Sequence, residues 1–521
     1  MLSTVAYCVA PVLKEIDSSR QVRRRIPFEF PGILFFTALG FLVMGYHPGL
    51  EDDGLYLSAV KADLNPALYP YNAKFFKLQM EATIFPASMA HFVCWTHLPL
   101  AWAELLWQLA ALFLILWAVK KIANRLFTDE AARWGGVAMV AAMFTLPVTG
   151  TALYMVDQHL HPRGLATAMI LLAVWRILDG KRWQVALLLA VAFLFHPLMA
   201  AMGISFCIIL AVVLMDFDPW RFDFRRFDFG RLRGWRNSAA ALMPLGWVFD
   251  AANPSWRKAL ATRSYYDLYR WNWYEWLGAL APLLLFWVLW RVASRRGETR
   301  LARFALAVFV YGVFHQVLAM TILWPASLVR LTTLQPMRFL HLLYFLFALT
   351  AGCLLGKLVL KQSVWRWAAF LLIANGSMLV AQRAEFAASQ HLELPGRETV
   401  NPWLQTFAWI RANTPVDAYF ALDPYYLEAP GEDYHGFLAL AERSQLADAV
   451  KDASVVTTVP ELGPDWESQV AATEGWRNFK LADFERLKAK FGVDWVVVNY
   501  PQPAGLDCRW QNNLLAVCRI P

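Results

Sequence analysis

The feature that most constrains this chain is a succession of apolar runs. They lie near residues 30–46, 98–119, 134–152, 163–179, 182–196, 197–215, 237–250, 275–293, 303–324, 337–357 and 364–381. A helix needs about 20 mostly apolar residues to cross the hydrocarbon core of a bilayer, so several runs are comfortable and some are short. Hydrophobic residues make up 58% of the chain and charged residues 17%, against roughly 45–50% and 25% in soluble domains. A soluble protein cannot bury that much apolar surface, which excludes a soluble enzyme, a nucleic-acid binder and a disordered scaffold. The expected fold is an α-helical polytopic membrane protein of about eleven spans. His196-Pro197 breaks the 182–215 run into two helices, because proline lacks the N–H a continuous helix requires.

Charge orients the scheme. The net charge of +8 hides a split, since the chain from Arg383 onward carries 12 basic and 19 acidic residues. Lys14, Arg20, Arg23, Arg24 and Arg25 precede the first run, and a basic excess marks cytoplasmic loops. With residues 1–27 inside, the alternating loops hold 26 basic residues inside and ten outside. Letting Ala82–His97 cross would invert that bias, so this stretch is expected to lie flat on the outer surface as an amphipathic segment. The expected organisation is a cytoplasmic N-terminus (1–27), a membrane domain (28–394) with an outside loop at 47–97, and an outside α/β domain (395–521). In that tail, Pro402–Ala412 and Leu481–Phe491 read as helices, with Gly492 as a stop signal. Ala418–Leu422 and Trp495–Val498 read as strands. Cys508 and Cys518 flank a turn at Gln511-Asn512-Asn513, and an oxidising compartment would favour a disulfide between them.

The richest motif is Glu51-Asp52-Asp53, just beyond the outer end of the first run. Acidic residues at a membrane edge are costly to desolvate and tend to mark sites. A carboxylate there would serve as a general base toward a hydroxyl, bind a divalent cation, or simply cap a helix. A second cluster holds Asp157, His159, His161 and Arg163. Asp157 and His159 are candidate metal ligands in an extended loop, while His161 and Arg163 suit a lipid phosphate. Its alternative is an interface loop before a helix that starts at Pro162. Arg330 and Arg338 stand near outer span ends, either as anchors that snorkel or as cations for a phosphate. Arg263 and Arg270 sit in an aromatic-rich outside loop that suits either substrate binding or an interfacial belt.

An acidic pair after the first span, in a long outside loop with an amphipathic segment, resembles the GT-C superfamily of membrane glycosyltransferases. The many spans and the outside C-terminal α/β domain fit that group as well. The resemblance implies a bacterial inner-membrane enzyme with a periplasmic tail. It would take a sugar from a polyprenyl-phosphate carrier, a lipid-linked donor, and pass it with inversion to an envelope acceptor at the outer face. It maps the catalytic base to Asp52 or Asp53, and carrier-phosphate binding to Glu51, His161, Arg163, Arg263, Arg270, Arg330 and Arg338. A divalent metal is an optional cofactor, and membrane lipids rather than nucleic acid are the expected surroundings. Two departures stand out: the pair is adjacent rather than Asp-x-Asp, and the tail lacks the Trp-Trp-Asp motif of the oligosaccharyltransferase branch. The rival reading is a non-catalytic multi-span protein, a transporter or an assembly factor for envelope polymers. Glu104 is the one acid well inside a run and no inverted repeat is visible, which argues against transport.

Overall fold

The structure is a computed structural model that describes residues 29–215, 253–266 and 268–521. The basic N-terminus and the expected span at 237–250 lie outside the described residues. Among the described residues, six helical segments are long and apolar enough to cross a membrane: Leu100–Leu126, Pro197–Leu214, Trp273–Arg295, Thr299–Leu323, Ser327–Leu360 and Val364–Glu385. The expectation of eleven spans is therefore corrected. Four of the runs form shorter helices: Glu29–Met44, Glu130–Ala142, Pro162–Leu178 and Arg182–Phe195. At 1.5 Å per residue the 13-residue helix reaches only about 20 Å and the 16-residue one about 24 Å. Their ends are set by local chemistry. Gly45 and Gly180 take positive φ, Pro162 opens its helix, and the residues after Ala142 turn into a small hairpin of β1 (Pro147–Val148) and β2 (Leu153–Tyr154). The helices nonetheless pack as one body around a continuous apolar core that includes Ile115, Leu171, Phe206, Phe304 and Leu343. Glu130–Ala142 and Phe339–Leu355 approach backbone to backbone: a Cβ on Gly136 would meet Leu349 O at 3.1 Å.

Ala82–His97 holds a 12-residue helix, Phe85–Thr96, too short to cross. Phe85 and Met89 turn inward, while Trp95 is 81% exposed. The 47–97 segment is no free loop. Lys61 donates to the Ala439 carbonyl at 2.7 Å and pairs with Glu442, Tyr69 donates to Leu438 O, and Asn72 donates to Gln445 O and Gln469. It forms the surface on which the C-terminal region docks.

That region is built around a five-stranded sheet in the order β4-β3-β5-β7-β6, with β3 at Tyr419–Ala421, β4 at Ser444–Gln445, β5 at Trp495–Asn499, β6 at Asp507–Gln511 and β7 at Leu515–Arg519. Neighbours β3, β4 and β5 run parallel; β7 is antiparallel to β5 and β6. Side chains alternate across a strand, so Val497 packs with Phe407 and Ile410 on one face. Val496 and Val498 pack with Phe484 and Leu487 on the other. The flanking helices, Pro402–Asn413 and Leu481–Phe491, are those expected from periodicity, and Gly492 ends the second in a left-handed turn. Cys508 and Cys518 form the disulfide across the β6–β7 hairpin.

Backbone meets backbone between the two regions at Gly54 and Gly436, where a Cβ on Gly436 would lie 2.8 Å from Gly54 Cα. Gly436→Val should therefore force this joint apart and cost at least about 1–3 kcal/mol through overpacking. Thermal unfolding in detergent measures it, and a variant as stable as wild type would show that the contact is dispensable.

Candidate functional site

The joint positions the acidic motif. Leu50 bridges to His435, the Glu51 N–H donates to Tyr434 O at 2.8 Å, and the Gly436 N–H donates to Gly49 O at 2.8 Å. Glu51 is held at φ 54, and the helix Asp53–Leu64 starts immediately after Asp52. Two neighbouring acids thereby acquire opposite environments.

Asp53 is 2% exposed. Its Oδ2 accepts the Gly49 N–H at 2.6 Å, and its carboxyl adjoins that of Glu104 from helix Leu100–Leu126. Burial raises its pKa, against the opposing pull of His159 and the Gly49 N–H. This is an anchoring acid inside the joint.

Asp52 keeps 35% of its side chain exposed. Lys451 Nζ lies 3.1 Å from its Oδ1 and also pairs with Glu51. His161 Nε2 lies 3.6 Å from its Oδ2. Burial alone would raise the Asp52 pKa, but Lys451, then His161, then Arg163 hold it well below the usual carboxylate range. The His161 Nδ1 accepts the Arg163 N–H at 2.9 Å, which places the ring proton on Nε2, facing Asp52. Burial and Arg163 push His161 down to about 4, so the ring is neutral at neutral pH. Tyr56 edges against it at 4.9 Å and His196 stacks on it at 6.0 Å.

Arg163 is 3% exposed and donates from Nη2 to Asp157 Oδ1 at 2.7 Å, while its Nε and Nη1 are buried without a hydrogen-bond partner. Arg338 acts electrostatically on Tyr56 together with Asp52 and Arg163. Among the described residues Arg338 has no side-chain hydrogen bond or ion pair. It lines a narrow, half-open pocket with Tyr265, Tyr266 and Gln335. Gly150 and Tyr265 are shared with an open cleft of about 1650 Å³, mouth included, that Glu51, Arg270, Trp271 and Glu275 also line. Among the described residues the buried Nε and Nη2 of Arg263 have no hydrogen-bond partner, and Arg263 acts on Lys451.

Of the residues singled out from sequence, then, Glu51, Asp52, His161, Arg163, Arg263, Arg270 and Arg338 fall around one region. Arg330 lies half-buried on the preceding turn, Ala326–Leu334, and is not among the charges acting most strongly on Asp52. Asp157 is paired with Arg163, and among the described residues neither Asp157 nor His159 belongs to a group of three ligand atoms close enough to share an ion.

Lys451 has no counterpart in the sequence reading. It opens the helix Lys451–Thr458, and Asp448 Oδ1 accepts the Lys451 N–H at 2.5 Å. Asp452 Oδ2 in turn accepts the Asp448 N–H at 2.9 Å. Both acids are buried. Burial, and then Asp448, push the Asp452 carboxyl well above the usual range. A carboxyl with a raised folded-state pKa contributes stability at low pH that is lost as pH rises past its unfolded value. Asp452→Asn should remove this loss and stabilise the protein by about 1–2 kcal/mol near pH 8, with a smaller effect near pH 5. Thermal unfolding at both pH values checks it; equal shifts at both would contradict a raised Asp452 pKa. No protein-family model matches the chain and no curated protein matches it, so a functional reading rests on this site.

Proposed function

We propose that the protein is a glycosyltransferase of GT-C type in a bacterial inner membrane, with the C-terminal region on the outer, periplasmic side. It would move a sugar from a polyprenyl-phosphate carrier to an envelope acceptor. The observation that carries this reading is the partly open, ionised Asp52, set beside guanidinium groups with unused donors on Arg163 and Arg338. A general base must meet a hydroxyl, and a departing phosphate needs cations where its charge develops. In the proposed step the acceptor hydroxyl gives its proton to Asp52 and its oxygen bonds to the anomeric carbon. The bond from that carbon to the carrier breaks, its electron pair leaves on the phosphate oxygen, and Arg338 and Arg163 stabilise it. The configuration at carbon inverts.

Lys451 makes Asp52 a weak base in the free protein. A cation shared between Asp52 and an incoming phosphate would raise the proton affinity of Asp52 as the donor binds. Because Asp157 and His159 do not form an ion site with the acidic motif, no step is routed through a metal there. The non-catalytic rival, a transporter or assembly factor, is favoured by one observation: Glu51 and Asp52 are both already paired with Lys451. Mass spectrometry of envelope glycans and glycolipids separates the two. A strain lacking the gene should regain a sugar-bearing species with wild type and not with Asp52→Asn. Restoration by both at equal membrane abundance would favour the rival.

A further inference from the structure

Behind the acidic motif, three side chains converge from three parts of the chain: His47 beyond the first helix, Glu393 from the connecting segment and His435 from the C-terminal region. His47 and His435 are fully buried, and Glu393 is 12% exposed. One ligand-capable atom from each falls within 4.8 Å of the others. His47 Nδ1 is 3.3 Å from Glu393 Oε1, and His435 Nε2 is 3.1 Å from Glu393 Oε2. Tetrahedral zinc, with bonds of about 2.0–2.1 Å, spaces its ligand atoms about 3.3 Å apart.

The hydrogen-bond geometry of the rings is compatible with such an ion. His435 Nδ1 lies 3.0 Å from the Glu432 carbonyl, an acceptor, so Nδ1 carries the proton. Metal-bound histidines are oriented by this type of hydrogen bond from the non-ligating nitrogen. The lone pair of Nε2 then faces a carboxylate oxygen. The position between Nε2 and the carboxylate is filled either by a second ring proton, which makes the ion pair with Glu393, or by a metal ion that takes its place. His47 adds to the case: its Nδ1 approaches Glu393 Oε1 at 3.3 Å, yet among the described residues neither of its ring nitrogens nor Glu393 Oε1 makes a hydrogen bond of good geometry. Such an orphaned buried imidazole is costly unless something occupies it. Phe386 fixes the ring at a centroid distance of 4.5 Å.

We infer that His47, Glu393 and His435 bind a divalent transition metal of the zinc class. This site is separate from the transfer chemistry and does not rest on it. Its ligands flank the acidic loop. The Tyr46 N–H donates to His391 O, the Glu393 N–H donates to Tyr46 O, and Leu50 bridges to His435. A bound ion would pin residues 47–53 against the C-terminal region.

The test uses the full-length protein in detergent, stripped with a chelator, dialysed and titrated with Co²⁺. Wild type should take up one Co²⁺ per chain, show the intense visible bands of a four-coordinate ion, and lose them when Zn²⁺ is added. Glu393→Gln and His435→Asn should bind at least about tenfold more weakly. Stripped wild type that keeps its helical circular dichroism yet binds neither ion in stoichiometric amount would overturn the site, as would unchanged bands in folded Glu393→Gln. Should the variants not fold, Zn²⁺ must raise the melting temperature of stripped wild type; no rise also overturns the inference.

Discussion

Asp52→Asn is expected to lower sugar transfer by about 10²–10⁴-fold, the usual contribution of a positioned general base, with no loss of folded protein. Asn keeps the size of the side chain, and Lys451 retains its second partner, Glu51. The informative contrast is with the next residue. Asp53→Asn should leave transfer within about tenfold of wild type, because that acid is sealed in the joint and an amide oxygen still accepts the Gly49 N–H. Asp53→Ala removes the acceptor and leaves a buried donor unsatisfied, which costs about 1–3 kcal/mol of stability. Two adjacent carboxylates are thus expected to fail in different assays, one in turnover and the other in unfolding. Equal turnover losses for Asp52→Asn and Asp53→Asn would contradict the division of labour.

The second large effect concerns the arginines. Arg338→Gln should reduce transfer by about 10²–10³-fold, the scale for removing one electrostatic stabiliser of developing charge. It should not lower the melting temperature, since no described hydrogen bond or ion pair of Arg338 is lost. Arg163→Gln would differ. It strips Asp157 of its buried partner at 2.7 Å, and breaking one side of a buried pair costs about 3–5 kcal/mol. Its turnover must therefore be read per folded molecule. Arg338→Gln with full activity would remove that residue from the phosphate-binding role.

Several elements of this architecture are legible from local pattern alone. In the C-terminal region, the period-3.6 stretch at Leu481–Phe491 with Gly492 behind it, and the valine run of β5, carry their own instructions, and Cys508 faces Cys518 because a short turn separates them. The acidic motif and the arginines are legible as residue types suited to an outer-face site. What is not legible is long-range pairing. Lys451 is 399 positions from Asp52 and sits on an ordinary polar helix. No periodicity assigns Asp53 to the interior and Asp52 to the opening, because that difference arises from the Gly54–Gly436 contact. His47, Glu393 and His435 are equally scattered. The span count misses for a different reason. Hydropathy measures apolar length, but Glu130–Ala142 is apolar because it is buried among other helices, not because it reaches across a bilayer.

The most direct measurement of the central claim is a glycan and glycolipid mass profile of the gene-deficient strain carrying wild type, Asp52→Asn or Asp53→Asn, each at matched membrane abundance. The account predicts that a sugar-bearing species returns with wild type and with Asp53→Asn and stays absent with Asp52→Asn. A species restored to the same level by Asp52→Asn would contradict it.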